Sequence, residues 1–175
     1  MKRVLMAVIF LFVSSGFSMA EIGEMQLRGK GIVKYLGFIK VYDASLYTKN
    51  AGDTQNILSP EISKCLRLDY NVSLTPENFI EGANTILKRQ HTPTTLNTIQ
   101  KEINIFHKAY RSVEEGDNYQ LCYEGDSAVT TLLLNQKELV SIESADFGNI
   151  YMGIWLGPQE PIDERLRDNL LYGYN

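Results

Sequence analysis

The chain is poor in the residues that usually carry chemistry. Its 175 residues include two histidines, two cysteines and a single tryptophan. His91, His107, Cys65 and Cys122 have none of the short spacings by which such residues grip zinc, so neither a metal nor another cofactor is expected. Neither histidine has a nucleophile near it in sequence, which leaves a general-base role without support. Gly125-Asp126-Ser127 looks like a serine-protease triplet, but it sits in a predicted hairpin turn and is set aside. Positive charge is also scarce: 17 Lys and Arg stand against 21 Asp and Glu, with no basic run. That balance argues against nucleic acid or an anionic membrane surface as the main partner. There is no internal repeat, no low-complexity tract and no linker that would divide the chain.

The one long apolar run, Val4 to Val13, follows Lys2 and Arg3 and precedes Ser18-Met19-Ala20. This is the pattern of a secretory signal peptide over 1–20, with cleavage before Glu21. Ser14, Ser15 and Gly16 interrupt the run, so a retained membrane anchor fits less well, and no second segment is long enough to span a bilayer. The expected mature product is one domain over 21–175, periplasmic or secreted. It keeps 15 basic and 21 acidic residues, a formal charge of −6. An oxidising compartment would permit a disulfide between Cys65 and Cys122, the alternative being two free thiols.

The mature chain is built around 29–48, which is rich in β-branched and aromatic residues and carries Lys30, Lys34 and Lys40. It is expected to form a pair of central strands framing a ligand site, with Gly29 and Gly31 marking a bulge or a close backbone approach. The second strand is predicted from Phe38. Strict alternation over 64–72 predicts a half-buried strand with Leu66, Leu68, Tyr70 and Val72 on one face and Cys65, Arg67, Asp69 and Asn71 on the other. Thr75-Pro76-Glu77 starts a helix to about position 89, and apolar residues three and four apart predict a second helix over 95–113. Three short strands follow over 118–124, 128–134 and 138–142, joined by turns at Gly125-Asp126 and Asn135-Gln136. Ser144 caps a helix over 145–156, and Pro161 opens a last short one.

This ordered set resembles the bacterial chalcone isomerase-like family. The residues that carry the resemblance are Gly29-x-Gly31 with a basic residue after it, Gly37-Phe-Ile-Lys-Val-Tyr-Asp-Ala-Ser-Leu-Tyr47, Thr75-Pro-Glu-Asn-Phe79, and Asp146-Phe147 with Ile154-Trp155-Leu156-Gly157. It implies an α+β, open-faced β-sandwich of chalcone isomerase type: an antiparallel sheet with helices packed on one face and a hydrophobic cleft between. It also implies where the isomerases' polar groups would fall. Their arginine maps to Val33 or Lys34, their strand threonine to Tyr42, their helix tyrosine to Phe79 and their asparagine to Ile86. A phenyl ring and a sec-butyl chain cannot donate the hydrogen bonds of a phenol and an amide, so most of the catalytic endowment is replaced.

A fatty-acid-binding branch of the superfamily holds the carboxylate with that arginine and a tyrosine at the strand position. Tyr42 matches it, with Lys34 as a monodentate substitute for the arginine. The resemblance thus points to a non-catalytic binding protein for a small apolar or amphipathic ligand such as a fatty acid, with Lys34, Tyr42, Phe79 and Ile86 at the site. Three other readings stay open. Lys34 and Tyr42 could be a solvated lysine and a core tyrosine; the chain could be an isomerase or lyase acting on a flavonoid-like substrate; or it could be an assembly module whose cleft is filled by its own side chains. No protein partner is indicated.

Overall fold

The computed structural model describes residues 22, 25–49 and 56–173; the signal-peptide reading of 1–20 lies outside them. Six strands form one antiparallel sheet in sequence order: β1 (Gln26–Tyr35), β2 (Ile39–Thr48), β3 (Lys64–Tyr70), β4 (Asn118–Glu124), β5 (Val129–Leu134) and β6 (Lys137–Glu143). The helices are α1 (Pro76–Gln90), α2 (Pro93–Thr98), α3 (Gln100–Ala109), α4 (Ala145–Leu156) and α5 (Glu164–Tyr172). This is the α+β open sheet with helices packed against it that the resemblance implies.

Period-2 alternation decides which side chains meet the helices. Tyr42, Ala44 and Leu46 of β2, Leu66, Leu68 and Tyr70 of β3, and Tyr119, Leu121 and Tyr123 of β4 share one face and join Phe106, Phe147, Tyr151 and Trp155 in the main core. The opposite face holds a small cluster of Met25, Cys65, Cys122 and Leu133. Cys65 and Cys122 are directly opposite in the β3–β4 register and are joined as a disulfide.

Four expectations are corrected. β1 is an edge strand, not a central one, because the chain turns back only once on that side. α5 packs on its core-side face, so close that a Cβ on Gly29 would lie 2.5 Å from the Leu170 carbonyl oxygen. The expected helix over 95–113 is two helices. Ile99 leaves helical geometry with φ −120° and ψ 15° while its side chain stays buried, and after Tyr110 the chain is extended, with Val113 bridging to Leu74. No Pro or Gly marks the break, so the periodicity runs through it unaltered. The last helix begins at Glu164 rather than Pro161, because the Asp163 carboxylate accepts the Leu166 N–H at 2.7 Å and so fixes the start there. Phe38 likewise belongs to the β1–β2 turn, leaving β2 to begin at Ile39.

The α5 contact supplies a direct test. Gly29→Ala is expected to destabilise the fold by about 1–3 kcal/mol through overpacking against backbone that cannot yield, read as a lowered midpoint in denaturant.

Candidate ligand cavity

Between α1 and the β2–β4 face the core does not close. A cavity of about 180 Å³ opens there, walled by Tyr42, Leu68, Tyr70, Phe79, Tyr110 and Tyr119, with Ile154, Trp155 and Ile162 on the α4 side. It continues past Leu74, Asn78, Gly82 and Ile162 into a wider outer chamber lined by Tyr35, Ile39, Val41, Thr85 and Ile86. Those four shared residues are the neck between inner and outer space.

Local structure explains the neck. Thr75 and Pro76 start α1 and the Thr75 N–H donates to Asn78 Oδ1 at 2.9 Å, which turns the Asn78 amide to the mouth and leaves its Nδ2 as a donor. In the second helical turn, Gly82 presents no side chain, and a Cβ there would meet nothing within 4 Å. On the other side Arg89 donates to the Pro161 and Glu160 carbonyls at 2.7 and 2.8 Å, and Ile162 N–H donates to the Ile154 carbonyl at 2.8 Å. These bonds hold Ile162 in place against the cavity.

The walls are apolar rings with hydroxyl tips. Tyr42, Tyr70 and Phe79 meet edge to face with centroids 5.6 Å apart, and Phe79 stacks on Tyr110 at 5.1 Å. Among the described residues no charged side chain lines the inner cavity. Four phenols supply its polarity, each in a different state. Tyr119 is committed, donating to the Arg111 carbonyl and accepting the Arg111 N–H, both at 2.8 Å. Tyr110 is bonded to Tyr151 at 2.8 Å, and Tyr151 in turn lies 3.1 Å from His107 Nε2. The Tyr42 hydroxyl accepts the Trp155 indole N–H at 3.0 Å and keeps its own proton to donate. Tyr70 is 4% exposed, and its hydroxyl has no hydrogen-bond partner among the described residues; the oxygen is not sealed in the core but opens to the cavity that Tyr70 lines. A hydroxyl without a protein partner is costly in a filled core and useful in a cavity that receives a polar group.

Burial fixes the protonation of this set. Desolvation drives the Tyr42, Tyr70 and Tyr110 phenols well above the ordinary tyrosine value; neighbouring phenols add to the rise at Tyr70 and Tyr110, and at Tyr42 the Trp155 hydrogen bond offsets part of it while Asp163 adds to it. They are neutral donors throughout the physiological range. Desolvation also lowers His107, so the histidine behind Tyr151 is neutral near pH 7.

A sequence model described as chalcone isomerase-like matches residues 19–172. The chain belongs to that family. Among solved structures, the crystal structure of an Arabidopsis thaliana fatty-acid binding protein is similar, with a TM-score of 0.64 and 18% identity over 85% of this chain and 87% of that one. At that identity the likeness is one of fold. No curated protein matches the chain.

Of the four positions that the chalcone isomerase-like resemblance singles out, the structure brings Tyr42 and Phe79 together on the inner cavity. Ile86 lines the outer chamber instead. Lys34 lies elsewhere, in a depression beside Asp163, Glu164 and Arg165 at the start of α5. The carboxylate clamp expected of Lys34 with Tyr42 is therefore not assembled: Lys34 stands on the edge strand, and a bulge between Val33 and Lys34 shifts the register just before it. Tyr70, Tyr110 and the Trp155–Tyr42 bond were not anticipated. Tyr70 ends an alternating strand on the face of Leu66 and Leu68, a pattern identical to that of an ordinary core residue.

Proposed function

We propose that this chain is an exported, non-catalytic binding protein for a small apolar or amphipathic ligand such as a fatty acid. The observation that carries the reading is an apolar cavity to which the unpartnered Tyr70 hydroxyl opens beside the Tyr42 donor. A cavity opens behind Tyr42, which speaks against an assembly module whose cleft is filled by its own side chains. The fatty-acid binding named for the Arabidopsis protein of like fold supports the same direction.

The chemistry of the walls constrains the ligand's head. With no cation in the inner cavity, an ionised carboxylate would be buried against neutral phenols alone, at a cost of several kcal/mol. The head that suits Tyr42 and Tyr70 is neutral: a hydroxyl, a carbonyl or a protonated acid. A protein freed of bound lipid should therefore show a saturable rise in melting temperature with medium-chain fatty acids and with the matching alcohols. No saturable rise with either would sink the reading.

Two further results are expected from titrations of the same protein. Fatty-acid affinity should increase as pH falls from 8 to 6.5, since the acid takes up a proton on entry while the phenols stay neutral; alcohol affinity should stay flat. Tyr70→Phe should weaken both ligands about tenfold by removing the free donor, and leave stability intact because that hydroxyl has no protein partner to lose. Export is read from 1–20 alone and is tested by N-terminal sequencing of the protein recovered outside the cytoplasm, which should begin at Glu21.

A further inference from the structure

The β1–β2 turn exposes large apolar side chains where a soluble protein usually places small polar ones. Tyr35, Leu36, Phe38 and Ile39 are 61%, 68%, 74% and 38% exposed, and they make up half of the eight exposed large hydrophobics among the described residues. Scattered surface leucines need no explanation, but four such residues at one convex tip do. The backbone sharpens the point. Leu36 and Gly37 both have positive φ, 51° and 78°, the geometry of a tight hairpin turn that favours Asn or Asp followed by Gly. Leucine at the first of these positions is strained as well as exposed.

Charge is arranged around the tip in a specific way. Lys34 and Lys40 are direct cross-strand partners, immediately below the apolar residues. Like charges opposite one another destabilise a strand pair unless an anion joins them. Asp43 meets Lys40 at 2.7 Å, whereas Lys34 is in no ion pair among the described residues. Lysines commonly blunt an edge strand against pairing with other chains, which would account for Lys34 on β1. It does not account for Lys40 on the inner strand, or for a tip that is itself apolar.

We propose that the β1–β2 tip docks on an anionic lipid bilayer. Leu36 and Phe38, flanked by Tyr35 and Ile39, enter the boundary between headgroups and acyl chains, and Lys34 and Lys40 reach the lipid phosphates on their flexible stems. The net negative charge of the whole chain acts mainly through the acids close to the tip, because groups more than about 8 Å from the surface are screened at physiological salt; those near acids are Asp43, which pairs with Lys40, and Asp163 and Glu164, which lie beside Lys34 together with Arg165. Tyr35 and Ile39 also line the outer chamber, so a docked tip holds the cavity mouth at the bilayer, where an amphipathic ligand resides. The docking rests on the cavity reading for its purpose but not for its physics.

The test is flotation of the chain from Glu21 onward, which contains every element described, with phosphatidylcholine vesicles with and without phosphatidylglycerol. Binding is expected to phosphatidylglycerol vesicles, several-fold weaker in high salt or on pure phosphatidylcholine. It should fall about tenfold or more in Leu36→Asp/Phe38→Asp. Lys34→Gln/Lys40→Gln should lose the preference for phosphatidylglycerol while keeping the residual binding to phosphatidylcholine. Absence of vesicle binding, or equal binding by the Leu36→Asp/Phe38→Asp protein, overturns the proposal. So does a concentration-dependent dimer that this variant abolishes with no vesicle binding, since the tip would then meet a second copy. Ligand titration in the absence of vesicles separates the two readings: the tip variants should bind ligand normally, and a protein with a blocked cavity should still float.

Discussion

Gly82→Leu is expected to abolish ligand binding, by about 100-fold or more, while making the protein slightly more stable. Gly82 lines both the inner cavity and the outer chamber, so a side chain there occupies the neck that a ligand must pass. The space is available, since a Cβ at this position meets nothing within 4 Å. In the middle of α1, replacing glycine with leucine also removes a helix-interior penalty of about 0.7 kcal/mol. Most substitutions that damage a site also damage the fold around it, and this one should separate the two. Calorimetric titration with a medium-chain fatty acid and thermal unfolding of the same sample provide the readouts. Gly82→Ala serves as the graded control, with a similar gain in stability and little loss of affinity. Unchanged affinity in Gly82→Leu would mean that the ligand does not enter through this neck.

Replacing the Cys65–Cys122 pair by alanine should cost about 4 kcal/mol, from the chain entropy released when a long loop is opened, and lower the melting temperature by about 10 °C. Both residues are almost completely buried, and the bond ties the two middle strands of the sheet. The loss should leave ligand affinity unchanged in whatever protein remains folded, because the disulfide lies on the sheet face opposite the cavity, among Met25 and Leu133. Comparing oxidised and reduced wild-type protein gives the same difference without mutation. Coincident unfolding curves would show that the bond does not constrain the unfolded chain.

Elements whose boundaries are set by local chemistry were legible in advance. The helix at Ala145–Leu156 lies between a Ser144 hydroxyl that caps its start and Gly157-Pro158 at its end, and the structure places it there. The strand at Asn118–Glu124 lies between turn residues and also falls as expected. The split at Ile99 was hidden because helical periodicity survives a change of direction when the buried residues keep their spacing. Gly29 and Gly31 signalled a close approach, but not that the approaching element would be a helix more than a hundred residues away.

The cavity was less legible than the frame. Tyr42 and Phe79 entered by resemblance and do meet there. Lys34 entered the same way and lies elsewhere, because the register shifts between Val33 and Lys34 and counting residues cannot detect it. Tyr70 went unnoticed because a tyrosine filling a core and a tyrosine facing a void have the same alternation and the same neighbours in sequence. The apolar tip was taken for part of a strand, since the residues Phe38 and Ile39 have high strand propensity.

By itself, then, the sequence determined the order of strands and helices and the lack of metal-ligand spacing, because these follow from periodicity, turn chemistry and residue inventory, and it pointed by resemblance to the family and to an antiparallel sheet with helices on one face. Only the tertiary structure decided that the core stops short of filling the space behind Tyr42, that Tyr70 is left without a partner, and that four apolar side chains stand in water at one hairpin tip. Each of those is a statement about what is missing from a side chain's surroundings, and surroundings are set by elements distant in sequence, which local patterns do not encode.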